Sequence, residues 1–220
     1  MLILALDTAT DQGSLALMAA DRLLREYSLE SPGTYLTRLL PGIAALLQAT
    51  GRGLHEVGAI AVSQGPGNFT GLRIGLATAK GLAWALGCPL VPVPTLEVLA
   101  AEFPSHPHPI GVLIDAKRQE AYWGLFSCRD QHPQPLAAPV RLPVALLPPR
   151  LKPPLTLTGP GLNAYQDFLE QALPRDLDWA PPEVRYPRAA TVASLARWRL
   201  KQGLTASPQQ LTPTYLRPAL

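Results

Sequence analysis

The stretch Ser63 to Gly87, SQGPGNFTGLRIGLATAKGLAWALG, constrains this chain more than any other. A short apolar strand, Ala59 to Ser63, feeds the loop Gly65-Pro66-Gly67-Asn68-Phe69-Thr70-Gly71, and a helix is predicted from about Thr70 to Leu86, stopped by Gly87 and Pro89. Along that helix Gly71, Gly75, Ala79 and Ala83 recur every four residues, so one face carries almost no side chain; Ala77 and Gly81 add further small positions nearby. Each glycine inside a helix costs roughly 0.5–1 kcal/mol relative to alanine, so three of them require an offsetting gain. Tight packing inside the chain would supply it, and so would the close approach of a partner's helix. The spacing alone does not separate the two.

The loop itself lacks the Gly-Lys-Ser/Thr of a phosphate-binding loop, and Gly71 falls one step late for a dinucleotide fingerprint. Amides at a helix N-terminus can hold an anion, but the residues read more simply as a tight turn.

Around this centre the periodicities alternate between strand and helix. Leu2 to Leu6 is a buried strand, Thr8 to Gly13 a turn, and Ser14 to Met18 and Leu23 to Leu29 complete an antiparallel meander. Ser31 to Gly33 punctuates the chain. Leu36, Leu39, Leu40, Ile43, Leu46 and Leu47 then recur at helical steps, with Pro41 expected to end, kink or restart the helix and Gly51 and Gly53 to close it. Leu90 to Val93 is a strand. After the Pro- and His-rich segment 101–109 a second set begins: Ile110 to Asp115 and Glu120 to Phe126 as a hairpin, an irregular proline-rich excursion over 130–154, the strand Leu155 to Thr158, and a helix opened by Gly159-Pro160-Gly161 and running to about Ala172. A last helix, Thr191 to Gln202, is expected to start near a threonine cap. No internal repeat at a fixed period is visible. The pattern alone supports α/β or α+β, with α/β preferred, in two lobes: residues 1–100, completed by the helix 189–203; residues 101–188; and a C-terminal tail, 204–220. Two β-rich lobes that each open on an antiparallel pair suit the actin-like ATPase (ribonuclease-H-like) fold.

Composition bears on partners. Hydrophobic residues make up 47% and charged residues 16%, which predicts a globular chain whose thinly charged surface leaves apolar area for other proteins. The 19 basic residues are scattered, with only Arg197, Arg199 and Lys201 close together, which lends no more than weak support to an RNA-bound complex. Cys88 and Cys128 lie far apart and read as reduced thiols. MLILALDTAT has no basic n-region, and no apolar run reaches the ~20 residues of a membrane helix, so a cytoplasmic protein without membrane contact is expected.

Few residues suggest chemistry. Asp7, Thr8 and Thr10 follow the first strand, where a carboxylate and hydroxyls could serve a nucleotide; a strand-end Asp is more often a turn-former. His106 and His108 sit in the proline-rich segment, while His55 and His132 are solitary, which does not make a tetrahedral metal site. Asp115 and Glu120 bracket a hairpin turn and are expected to be solvated. No nucleophile–base constellation can be assembled, and catalysis by this chain alone is not expected.

The segment SQGPGNFTGLRIGLATAKGLA resembles the central signature of the TsaB family, and LALDTAT, the helix with TRLLP, DAKRQEAYW, TLTGPGL and the terminal TYLRP match its other landmarks in the same order. The resemblance implies an actin-like two-lobed fold and a non-catalytic subunit without a cofactor. Its partners would be a TsaD-type catalytic subunit, which transfers threonylcarbamoyl to adenosine 37 of tRNA, and a TsaE-type ATPase; tRNA would be met only through the complex. The two helices of the first lobe would dock the TsaD-type subunit or a second copy of the chain, through Tyr35, Leu36, Leu39, Leu40, Ile43, Gly71, Leu72, Gly75, Leu76, Ala79, Lys80 and Ala83. Tyr35 stands where many relatives carry histidine. On this reading Gly75→Arg or Ala79→Arg leaves the monomer folded and abolishes the complex. Asp7, Thr8, Thr10, Gly159 and Gly161 would form a vestigial nucleotide site. The competing readings are a metal-dependent O-sialoglycoprotease-like peptidase and an autonomous actin-like ATPase or sugar kinase.

Overall fold

The computed structural model describes residues 1–29, 35–129, 132–172 and 177–216; the turn expected at Ser31 to Gly33 lies outside them. The chain forms two compact units, residues 1–98 with 187–214, and residues 99–186 with 215–220.

The first unit is a five-stranded sheet in the order β3-β2-β1-β4-β5. Strands β1 (Leu2–Asp7), β2 (Gly13–Ala19) and β3 (Arg22–Leu29) form the antiparallel meander. Strands β4 (Val57–Gly65) and β5 (Leu90–Pro94) run parallel to β1, reached through helices α1 (Tyr35–Ala49) and α2 (Phe69–Leu86). All of β1 is buried, as its unbroken apolar run requires of a central strand. Leu2, Leu4, Leu6, Leu15 and Leu17 join Leu39, Ile43, Leu46 and Leu47 of α1 and Leu76, Ala79 and Ala83 of α2 in one core.

Three expectations are corrected in this unit, and one element is added to them. Helix α1 runs unbroken through Pro41, which lies on its solvent side, where water can serve the carbonyl one turn earlier. The last helix, here numbered after those of the second unit as α5 (Ala189–Lys201), begins before Thr191 and has no side-chain cap of its own. Its first amides are served from across the sheet instead: Ala189 N–H donates to Ser14 Oγ (2.8 Å) and Ala190 N–H to Glu26 Oε1 (2.9 Å). Residues 204–214 are no free tail, because Ala206 N–H bonds Leu90 O, Leu211 is buried in the core and Thr214 N–H bonds Gln64 O. A short helix, α3 (Thr95–Ala100), follows β5 where the sequence showed no helical period.

The second unit repeats the layout. Strands β6 (Ile110–Asp115) and β7 (Glu120–Ser127) are antiparallel, the latter flanked by the short β8 (Gln134–Pro135) and β9 (Val140–Pro143). Strand β10 (Leu155–Thr158) lies parallel to β6, helix α4 (Leu162–Ala172) follows, and β11 (Leu177–Trp179) closes the order β11-β10-β6-β7-β8. Both units thus place an antiparallel partner on one side of their first strand and a parallel partner leading into a helix on the other.

Candidate functional site

The turn after β1 and the start of α2 are built against each other. Asp7 is fully buried; Ala9 N–H donates to its Oδ1 (3.2 Å) and Ser63 Oγ–H to its Oδ2. Burial pushes its carboxyl up to about 7, against the pull of the bonds from Ser63 and Ala9. Thr8 Oγ1–H donates to Gly71 O (2.8 Å), Asn68 N–H to Ala9 O (2.7 Å), and Tyr35 O–H to Thr10 O (2.7 Å). Burial, then the charges of Asp7 and Asp11, raise the Tyr35 phenol above its ordinary value. Thr10 Oγ1–H bonds Gln12 O (3.0 Å).

The glycines follow from this contact. A Cβ on Gly67 would lie 2.1 Å from Ala9 O, one on Gly71 2.2 Å from Thr8 O, and one on Gly75 2.1 Å from Thr8 Oγ1. The small-residue stripe therefore lets α2 press on the chain's own β1 turn, and Gly71, Leu72, Gly75, Leu76, Ala79 and Ala83 are all buried in that contact or in the core behind it. It is not an outward face. Tyr35, Leu39 and Ile43 are likewise internal, and Lys80 Nζ is taken by Leu211 O (3.1 Å). Of the twelve interface residues expected from sequence, Leu36 and Leu40 are exposed.

A different set of large apolar side chains is exposed on these helices: Leu36 (77%) and Leu40 on α1, Phe69 and Trp84 (75%) on α2, with the Arg73 guanidinium 3.8 Å above the Phe69 ring. Ala77 and Gly81 lie between them on the exposed side. Ala77 and Gly81 were readable as a second pair of small positions, but small positions on two faces of one helix do not say which faces inward.

The phosphate-loop groups are committed internally. Two of the leading amides of α2 are taken within the chain: Gly71 N–H bonds Asn68 Oδ1 (3.0 Å) and Leu72 N–H bonds Asn68 O (2.9 Å). The remaining hollow, about 240 Å³ between Thr10, Tyr35, Asn68 and Thr70, also has the Asp11 carboxylate in its wall, which repels phosphate. Gly159 and Gly161 belong to the second unit and let the turn before α4 touch β6: a Cβ on Gly159 would sit 2.2 Å from Leu113 O, and Gly161 N–H bonds that same oxygen (2.9 Å). Among the described residues no group of three His, Cys, Asp or Glu side chains could hold a metal ion, and no helix is long and apolar enough to cross a membrane.

Asp115 and Glu120 form no acid pair. Asp115 accepts Lys117 N–H and Lys117 Nζ (both 2.8 Å) and Tyr165 O–H (2.7 Å); partial burial alone would raise its carboxyl, and these bonds outweigh it and hold it below the ordinary range. Glu120 pairs with Arg141 (3.3 Å).

Comparison with known proteins places this architecture. Residues 33–219 match the family described as TsaD, tRNA N6-adenosine threonylcarbamoyltransferase. The tRNA threonylcarbamoyladenosine biosynthesis protein TsaB of Escherichia coli is 30% identical over 99% of this chain and 95% of its own length, and that of Bacillus subtilis 29% over 99% and 94%. The structure of YeaZ from Pseudomonas aeruginosa superposes with a TM-score of 0.82 at 31% identity, covering 98% of this chain and 99% of that one. At 10% identity and a TM-score of 0.53 over 92% of this chain and 97% of its own, the activator of 2-hydroxyisocaproyl-CoA dehydratase from Clostridium difficile, solved with ADPNP bound, shares the fold alone. The two-sheet α/β architecture is that of actin-like ATPases, and the chain belongs to the TsaB family of tRNA threonylcarbamoyladenosine biosynthesis proteins.

Proposed function

We propose that the chain is a non-catalytic subunit of the tRNA threonylcarbamoyladenosine machinery. It docks a TsaD-type catalytic subunit through the outer side of α1 and α2, a second copy of itself competes for the same side, and tRNA is reached only through the complex. Recruitment of a TsaE-type ATPase belongs to the same reading and rests on the family resemblance. The observation that carries the proposal is the exposure of four large apolar side chains, Leu36, Leu40, Phe69 and Trp84, on two helices in contact; exposed apolar surface often marks a partner site. The internal commitment of Asp7, Thr8 and Thr10 supports the non-catalytic part.

The docking test moves accordingly from Gly75 and Ala79, whose replacement by arginine would disrupt the core, to Leu40 and Trp84. Leu40→Asp and Trp84→Arg change exposed positions, which ordinarily shifts stability by about 0.5 kcal/mol or less. Each is expected to leave the monomer folded and to weaken co-purification with the TsaD-type subunit of the same organism at least tenfold. Retention of the complex at unchanged affinity by both variants would place the interface elsewhere. Zinc or iron in the purified chain, or tight Mg-ATP binding with turnover, would favour the peptidase or the ATPase instead.

A further inference from the structure

The β6–β7 turn holds three consecutive non-glycine residues in the left-handed region, Lys117, Arg118 and Gln119 at φ 64°, 54° and 60°. L-residues visit this region at a cost and seldom in succession. A two-residue turn with Asn-Gly would join the same strands without it. Here the conformation is imposed from several sides: Asp115 accepts Lys117 N–H and is itself bonded by Tyr165 of α4, Ala116 N–H bonds Glu120 O (2.9 Å), and Val144 N–H bonds Gln119 O (2.9 Å). Strain maintained in this way is a feature of ligand-holding segments.

What the turn presents is one uncompensated cation. Lys117 is neutralised by Asp115 and Arg141 by Glu120. Arg118 is exposed and bonds none of the described residues. It stands at a cavity of about 690 Å³ walled by Gln119, Glu120, Pro143, Val144, Ala145, Tyr165 and Phe168, the last 44% exposed, and the Glu120 carboxylate in that wall is paired with Arg141. A concave wall with Pro143, Val144, Ala145 and Phe168 on its apolar side and Arg118 as its one unpaired charge among the described residues has the makings of a small-molecule site.

We propose that this cavity binds a small organic anion, its apolar ring against Phe168 and Tyr165 and its carboxylate or phosphate on the Arg118 guanidinium. A neutral hydrocarbon would leave the cation unused, and inorganic phosphate would leave the apolar walls unfilled. Aromatic carboxylates and mononucleotides share the required chemistry, and an acidic peptide with an aromatic residue is the macromolecular alternative.

The test is isothermal titration of the full chain with 1-naphthoate and AMP, with naphthalene and inorganic phosphate as half-ligands. One-to-one binding of naphthoate or AMP is expected, with at least tenfold loss in Arg118→Gln and in Phe168→Ala. Both positions are exposed, so melting temperature confirms that these variants fold. Gln119→Gly, which relieves strain without removing the cation, is expected to raise the melting temperature and weaken binding severalfold. AMP binding with naphthoate excluded identifies a nucleotide ligand, and the reverse a carboxylate. Absence of saturable binding by both, binding that survives both Arg118→Gln and Phe168→Ala, or saturation only by an acidic aromatic peptide overturns the proposal.

Discussion

Gly75→Ala and Gly81→Ala are the same chemical change, one turn and a half apart on α2, and the structure assigns them opposite signs. At Gly81 a Cβ meets nothing within 4 Å, so only helix propensity changes. Alanine there is expected to stabilise by about 0.8–1.0 kcal/mol, which in a chain of this size raises the melting temperature by about 2–4 °C. At Gly75 the new carbon would lie 2.1 Å from Thr8 Oγ1 and 3.3 Å from Thr8 Cβ. Thr8 or the helix must move, and the buried bond from Thr8 Oγ1 to Gly71 O (2.8 Å) breaks or bends. Overpacking costs about 1–3 kcal/mol, the lost hydrogen bond about 0.5–1.5, and alanine returns about 1 through propensity. The net is a loss of about 0.5–3.5 kcal/mol, or roughly 1–14 °C in melting temperature. Scanning calorimetry or a circular-dichroism melt of the two variants reads the sign directly. Thr8→Ala in the Gly75→Ala background should recover part of the loss, because the clash and the bond share one side chain. If Gly75→Ala melts at or above the wild type, the close approach of α2 to the β1 turn is wrong.

Other outcomes follow from the same contacts. Because burial raises Asp7 to about 7, the folded chain keeps a proton that the unfolded chain releases above about pH 4, so stability is full below that pH and falls as pH rises towards 7. Asp7→Asn should flatten that fall in denaturant midpoints taken across the range; parallel profiles for both proteins would contradict it. Glu26→Ala removes the acceptor of Ala190 N–H and the partner of Arg188 and is expected to destabilise by about 1–2 kcal/mol, measured by urea unfolding. Leu40→Asp and Trp84→Arg should separate partner binding from stability, read by pull-down beside a melt.

Much of the fold was legible because its signals are local. Six apolar residues before Asp7 specify a central strand, Asn68 caps a helix that Gly87 ends with φ 62°, and the central segment carries the family. The candidate site was legible only as two helices. Placing its residues failed at α2, where Gly71, Gly75, Ala79 and Ala83 read equally as an inner and an outer face. Phe69 and Trp84 carry no mark in sequence that distinguishes an exposed aromatic from a core one.

By itself, then, the sequence determined the strands, the helices, the two-lobe plan and the family, since periodicity, capping and motif spacing act over a few residues. Tertiary structure decided what depends on distant neighbours. It took the caps of α5 from Ser14 and Glu26 and bound the C-terminal segment to β4 and β5. It repeated one strand order in two units that share no sequence period. It also turned the small-residue stripe inward, because Thr8 needs the space that a side chain at Gly75 would occupy.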